Sequence, residues 1–132
     1  MSLGGKRGQS MVEFAMTIGL LMLLVVSSAQ LAIFLHYRSS LDLAIREGAF
    51  QASLVGHSGK DGEVAARELW KRIQPDAGPL DIKASSDGRL VVLTATAYAP
   101  AILPMPAPPF NQIRVQARAV HTVERFQSGS SP

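Results

Sequence analysis

Glu13 is the residue whose position says most about chemistry in this chain. It is the only acidic residue before Asp42, and it directly precedes an apolar run from Phe14 to Leu35. An unpaired carboxylate inside a membrane costs several kcal/mol, so a carboxylate at this place needs a partner or a position among lipid headgroups. The residues alone leave both interpretations open.

The other reactive residue types do not form a pattern typical of an enzyme. His36, His57 and His121 are scattered, and the chain has no cysteine to join them in a metal site. No serine stands in a nucleophile-elbow motif, and no glycine-rich phosphate loop follows a predicted strand. We therefore expect a protein that is not an enzyme and has no metal and no cofactor.

The apolar run predicts a helix that lies in a membrane. Residues 14–35 are 22 residues without a charge. Such a helix is about 33 Å long, slightly more than the hydrocarbon core of a bilayer. Lys6 and Arg7 precede it, which favours a cytoplasmic N-terminus and export of everything after about residue 36.

The charge balance argues against nucleic acid as a partner. The whole chain carries 13 basic and 10 acidic residues, and the basic residues after the apolar run are interleaved with acids. A protein that binds nucleic acid usually gathers its basic residues in a patch. The predicted partners are therefore lipid and other proteins.

The chain divides into four parts by composition. Residues 1–8 form a basic, glycine-rich leader, and residues 9–54 contain no proline and predict one long helix, with 14–35 transmembrane. Residues 55–126 predict an exported head domain. The polar tail, residues 127–132, is expected to be disordered.

The head predicts an α+β fold in which the long helix packs on a small three-stranded antiparallel sheet. A short helix is expected over residues 62–74, with Asp61 as its N-cap. Alternating apolar residues predict strands at 80–85, 90–98 and 113–119. The inward positions of these strands include four alanines, which are small enough for a helix to pack closely: Ala95, Ala97, Ala117 and Ala119.

Small residues on the long helix are candidates for close packing. Gly48 and Ala52 stand four residues apart at its C-terminal end and would admit another backbone, and Gly19 interrupts the apolar run. The proline-rich stretch over residues 100–110 cannot form an ordinary strand. It is expected either to fold back over the sheet or to form a recognition surface.

The N-terminal motif resembles type IV pilin-like precursors, and more narrowly the TadE-like minor pseudopilins of the tight-adherence (Tad/Flp) pilus. The matching segments are Arg7–Gly8, Val12–Met16 (VEFAM) and Ile45–Ala49 (IREGA). Family members commonly carry a proline in the apolar run, where this chain has Gly19. Related major pilins often have tyrosine in place of Phe14, which points away from a major subunit.

The resemblance implies a processing and assembly pathway. A prepilin peptidase would cut after Gly8, so that Gln9 becomes the N-terminus and Glu13 the fifth mature residue. Glu13, with Phe14 beside it, would set the register between subunits. The implied partners are other pilin or pseudopilin subunits, which contact the N-terminal helix, and the assembly platform of the bacterial inner membrane. The implied function is structural: priming, incorporation or tip placement in a pilus used for adhesion or secretion.

A second processing site gives an alternative function. Ser27, Ser28 and Ala29 before Gln30 are small residues that suit an ordinary signal peptidase. Cleavage there would release a soluble periplasmic binding domain unrelated to pili, and no cleavage at all would leave such a domain anchored to the membrane. The N-terminus of the mature protein distinguishes these outcomes.

Overall fold

The computed structural model describes residues 4–54, 57–102 and 112–123. Five elements follow in chain order: α1 (Gly4–Ser53), α2 (Gly59–Ile73), β1 (Asp81–Ser86), β2 (Leu90–Pro100) and β3 (Gln112–Thr122). The strands form one antiparallel sheet in the order β1-β2-β3. The predicted α+β fold with a long helix, a short helix and three antiparallel strands is confirmed.

Helix α1 contains 50 residues and is about 75 Å long. It begins at Gly4, whereas the sequence predicted a start at residue 9, so the described part of the leader is already helical. No proline interrupts this region, and an existing helix extends at little cost compared with nucleating a new one. Residues 1–3 of the leader lie outside the described residues.

Helix α2 begins earlier than predicted, and its N-cap is Ser58 rather than Asp61. Ser58 has extended backbone angles (φ −120°, ψ 171°), and its backbone N–H donates to Asp61 Oδ2 at 2.6 Å. The Ser58 hydroxyl donates to the same oxygen at 3.0 Å. Asp61 is therefore the third residue inside the helix, as in a capping box. The two hydrogen bonds from Ser58, with a smaller effect of His57, lower the pKa of the Asp61 carboxyl.

The core of the head lies between the C-terminal third of α1, helix α2 and one face of the sheet. The alternation in β2 is strict: Val91, Leu93, Ala95, Ala97 and Ala99 are all buried. Helix α1 contributes a buried stripe at helical spacing, namely Leu41, Ala44, Ile45, Gly48, Ala49 and Ala52. The small side chains on both surfaces allow the helix to lie close to the sheet.

Two of the predicted segments fall outside the described residues. These are residues 103–111, which make up most of the proline-rich stretch, and the tail at 127–132. The strand ends on either side of the proline-rich stretch are described, and Pro100 is paired with Gln112 across β2 and β3.

Candidate assembly site on the N-terminal helix

The N-terminal half of α1 projects from the head as an apolar rod. All residues from 5 to 25 are exposed. Among the described residues one helix is long and apolar enough to cross a membrane, and none of its most apolar 18-residue window is buried in the protein. The exposed large side chains of this region are Met11, Val12, Phe14, Met16, Ile18, Leu20, Leu21, Met22, Leu23, Leu24 and Val25. An apolar surface of this extent requires lipid or other apolar helices around it, and the helix fits a single-pass membrane anchor.

Two hydroxyl side chains of the N-terminal part of α1 satisfy their hydrogen-bonding groups on the helix itself. The Thr17 hydroxyl donates to the carbonyl of Glu13 and the Ser28 hydroxyl to the carbonyl of Leu24, both at 2.8 Å. A hydroxyl bonded to the carbonyl four residues earlier needs no water. These two residues therefore do not oppose insertion of the helix into lipid.

Glu13 lies on this rod without a partner. Its carboxylate makes no hydrogen bond and no ion pair with any part of the chain that the structure describes, where the single ion pair joins Arg46 and Asp42 in the head. The side chains beside it are exposed, with 60 % of Val12 and 66 % of Phe14 accessible. The arrangement can supply one negative charge to a partner that approaches the rod from outside.

The predicted cleavage residues lie on the same rod. Gly8 and Gln9 are exposed, and a Cβ added at Gly8 would meet nothing within 4 Å. Gln9 and Glu13 are four residues apart in the helix, so they lie on one face about 6 Å apart along the axis. An α-amine created at Gln9 would therefore lie at the new N-terminus of the helix, about one turn from the level of the Glu13 carboxylate.

The three small residues predicted for helix packing have different surroundings. Gly19 is open, with nothing within 4 Å of an added Cβ. Gly48 is buried against α2, and a Cβ built there would stand 2.5 Å from the carbonyl oxygen of Gly62. Ala52 is buried beside the same glycine, with its Cβ 2.7 Å from a Cβ built at Gly62. Gly48 and Ala52 thus contact a helix of their own chain.

Gln30, which the sequence placed only at the alternative signal-peptidase site, makes contacts with the head that sequence reasoning did not predict. Its side-chain amide nitrogen donates to the carbonyl of Pro100 at 3.3 Å, and its amide oxygen accepts the backbone N–H of Ile102 at 2.7 Å. The sequence feature that could have indicated a contact is a large polar side chain inside an apolar run. Gln30 also stands four residues before Phe34, which packs against the head core. The partners are 70 and 72 residues away in sequence, so the contact itself could not be inferred.

The three histidines lie apart in the structure as well. His36 has an edge contact with Tyr37, and His121 has one with Phe50 at 5.8 Å between ring centroids. Within the described ranges, no group of three or more His, Cys, Asp or Glu side chains could hold a metal ion.

Comparison with known proteins gives one family. Residues 8–49 match the family model of the TadE-like protein, which is about a third of the chain and extends from Gly8 through Glu13 to Ala49. No curated protein and no solved structure matches the chain. The resemblance expected from the N-terminal motif is therefore confirmed over residues 8–49, where the chain is similar to the TadE-like family.

Proposed function

We propose that this protein is the precursor of a minor structural subunit that takes part in assembly of a Tad-type pilus, used for adhesion or secretion. The observation that carries the proposal is the exposed apolar rod of α1 with the unpartnered Glu13 near its end, inside the segment that matches the TadE-like family. Such a surface is suited first to lipid and then to the apolar helices of neighbouring subunits.

The first step is insertion and processing in the bacterial inner membrane. Lys6 and Arg7 keep the N-terminal end in the cytoplasm, and the head is exported. A prepilin peptidase then cuts between Gly8 and Gln9. Removal of the leader deletes both basic residues and creates an α-amine at Gln9.

The second step is pairing of charges between subunits. The α-amine of one subunit would meet the Glu13 carboxylate of a neighbour, as the rods leave lipid and pack together on the assembly platform. A charge pair in a medium of low dielectric constant is favourable only when both partners are present and well placed. Glu13 therefore sets the axial register, and Phe14 lies beside the contact.

Replacement of Glu13 tests the pairing. The variant Glu13→Gln keeps the shape of the side chain and removes its charge, so insertion and leader cleavage should be unchanged while incorporation into purified pili is lost. The matched control is Glu68→Gln, which removes a charge from an exposed residue of α2. Pili that contain the Glu13→Gln subunit at the wild-type level would refute the proposed register contact.

The mass of the mature N-terminus tests the processing. A start at Gln9 is expected, and a start at Gln30 would instead indicate a released periplasmic domain. An intact N-terminus would indicate a plain membrane anchor. No observation in the structure favours the released form, because α1 continues through Ser28, Ala29 and Gln30 without a break.

A further inference from the structure

The side-chain amide of Gln30 joins the membrane helix to the end of β2 through two hydrogen bonds. Both the donor and the acceptor of the amide are used, on the carbonyl of Pro100 and the N–H of Ile102. We call this pair of bonds the Gln30 clasp. It satisfies a large polar side chain that would otherwise be costly in or near lipid.

The direction of β2 places the clasp at the end of the head nearest the membrane. Near its start, β2 lies beside Gly48 of α1, because Leu93 Cδ2 would be 3.1 Å from a Cβ added at Gly48. At its end, β2 lies beside Gln30 of α1, which donates to the carbonyl of Pro100. Eighteen helical residues cover about 27 Å and seven strand residues about 23 Å, so β2 runs alongside α1 in the opposite direction. The tip of β2 therefore points towards the membrane.

This geometry conflicts with a hydrocarbon boundary at Leu35. Such a boundary would put the backbone of Pro100 and Ile102 about 7 Å below the lipid surface, because Gln30 lies five residues before Leu35. Irregular backbone exposed to lipid does not occur within the hydrocarbon region. We propose that the Gln30 clasp sets the outer hydrocarbon boundary at residues 29–30 and seats the base of the head on lipid headgroups; this rests on the membrane anchoring in the proposed function.

The exposed side chains at this end suit a lipid interface. Ile102 is 41 % exposed and Tyr98 is 49 % exposed, and Leu31 and Leu35 project from the helix at the same level. None of these residues is charged. Tyrosine side chains are enriched where acyl chains meet headgroups, and the exposed aliphatic side chains make the surface continuous with the apolar rod of α1. Lipid is therefore the partner that this surface fits.

The boundary has a consequence for the other end of the helix. A hydrocarbon core about 30 Å thick takes about 20 residues, and counted back from residue 29 it begins near residue 10. Glu13 then lies roughly one turn inside the core instead of at its edge. The clasp on the outer side would thus hold the unpartnered carboxylate in lipid on the inner side, which strengthens its need for a partner.

A cysteine scan of the full-length chain tests the boundary. The chain has no cysteine, so single substitutions give labelling without background. The protein is reconstituted in vesicles of phosphatidylethanolamine and phosphatidylglycerol and treated with a membrane-impermeant maleimide. We expect Leu35→Cys to label as readily as Ser39→Cys, and Leu21→Cys and Leu24→Cys to remain unlabelled.

The same scan in a Gln30→Leu background tests the clasp. Without the two hydrogen bonds, the protected region should extend outward by about one and a half helical turns, with loss of labelling at Leu35→Cys. The control Ser28→Leu adds a similar apolar side chain but leaves the clasp intact, and should not move the boundary. Unchanged Trp70 fluorescence and urea midpoint will show that the Gln30→Leu head is folded.

The outcomes separate this inference from the proposed anchor. The role of the clasp would be overturned if Leu35→Cys were not labelled by the maleimide when Gln30 is present. It would also be overturned if Gln30→Leu left the boundary of labelling unchanged. Neither result would affect the anchor. Labelling at Leu21→Cys and Leu24→Cys would overturn the anchor itself. A fluorophore at Ile102→Cys should be quenched by shallow spin-labelled lipid at high and at low ratios of protein to lipid. Quenching that appears only at low ratios would indicate that a second copy covers this surface, and no quenching at any ratio would refute lipid contact.

Discussion

The crossing of α1 and α2 at Gly48 gives a prediction whose magnitude follows from the structure. A Cβ built at this residue would stand 2.5 Å from the carbonyl oxygen of Gly62, 2.8 Å from Ala66 Cβ and 3.1 Å from Leu93 Cδ2. The first contact is with backbone, which cannot rotate away as a long side chain can. Gly48→Ala therefore forces the two helices apart by about 1 Å if ordinary van der Waals distances are to be restored.

Two effects of opposite sign decide the outcome. Alanine is favoured over glycine in a helix by about 1 kcal/mol. Overpacking of a well-packed core costs about 1–3 kcal/mol, and here the added atom meets three neighbours on two elements. Because the nearest neighbour is backbone, we place the overpacking cost at the upper end of its range, about 2–3 kcal/mol, which leaves a net loss of about 1–2 kcal/mol in the free energy of unfolding of the head. With a urea m-value of about 1–2 kcal/mol per molar, the unfolding midpoint falls by roughly 1 M.

Trp70 provides the assay. It is the only tryptophan of the chain and is 2 % exposed, so its fluorescence reports unfolding of the head in the full-length protein in detergent micelles. Gly78→Ala is the matched control, because nothing lies within 4 Å of an added Cβ there and its midpoint should be unchanged or slightly raised. A Gly48→Ala head as stable as the wild type, or more stable, would refute the inferred close crossing.

Two further predictions use the same fluorescence assay. Asp61→Asn should destabilise the head at pH 7, because the hydrogen bonds from Ser58 lower the pKa of the Asp61 carboxyl below its ordinary value of 3.8. The ionised carboxylate therefore stabilises the fold above pH 3.8, and this stabilisation is lost as the pH falls through the lowered pKa. The difference between variant and wild type should therefore shrink in strong acid, and an exposed control, Asp76→Asn, should show no such change; a constant difference would contradict the assignment. Ile45→Ala, at a fully buried residue, should cost about 2–5 kcal/mol. Leu43→Ala, 56 % exposed on the same helix, should cost little, and equal losses would contradict the burial pattern.

The sequence determined the features that depend on local periodicity. The uncharged run from Phe14 to Leu35 and the absence of proline before residue 54 predict one long helix, and strict alternation predicts the strands. The motif around Gly8 and Glu13 was sufficient to suggest the TadE-like family. Such signals are readable because a helix or a strand imposes its own spacing on the residues that it buries.

Helix starts were less well determined by the sequence. Ser58 and Asp61 both suit an N-cap by residue type, and the choice depends on which backbone is extended and which carboxylate oxygen faces its N–H. In the structure Ser58 has the extended backbone and Asp61 accepts its N–H. The sequence prediction named Asp61 alone as the N-cap, and the structure makes Asp61 the residue that accepts the N-cap's hydrogen bonds.

Only the tertiary structure decided which distant residues meet. Gly62 was read as the start of a helix, yet it is the partner that makes Gly48 intolerant of a side chain. Gln30 was read as the residue that follows an alternative signal-peptidase site, yet it holds the backbone at Pro100 and Ile102. Contacts between residues far apart in the chain depend on how whole elements pack, and no local pattern records that packing. The sequence by itself thus determined that this protein has a membrane-length helix with a carboxylate near its start, and the fold decided where along that helix the head is attached.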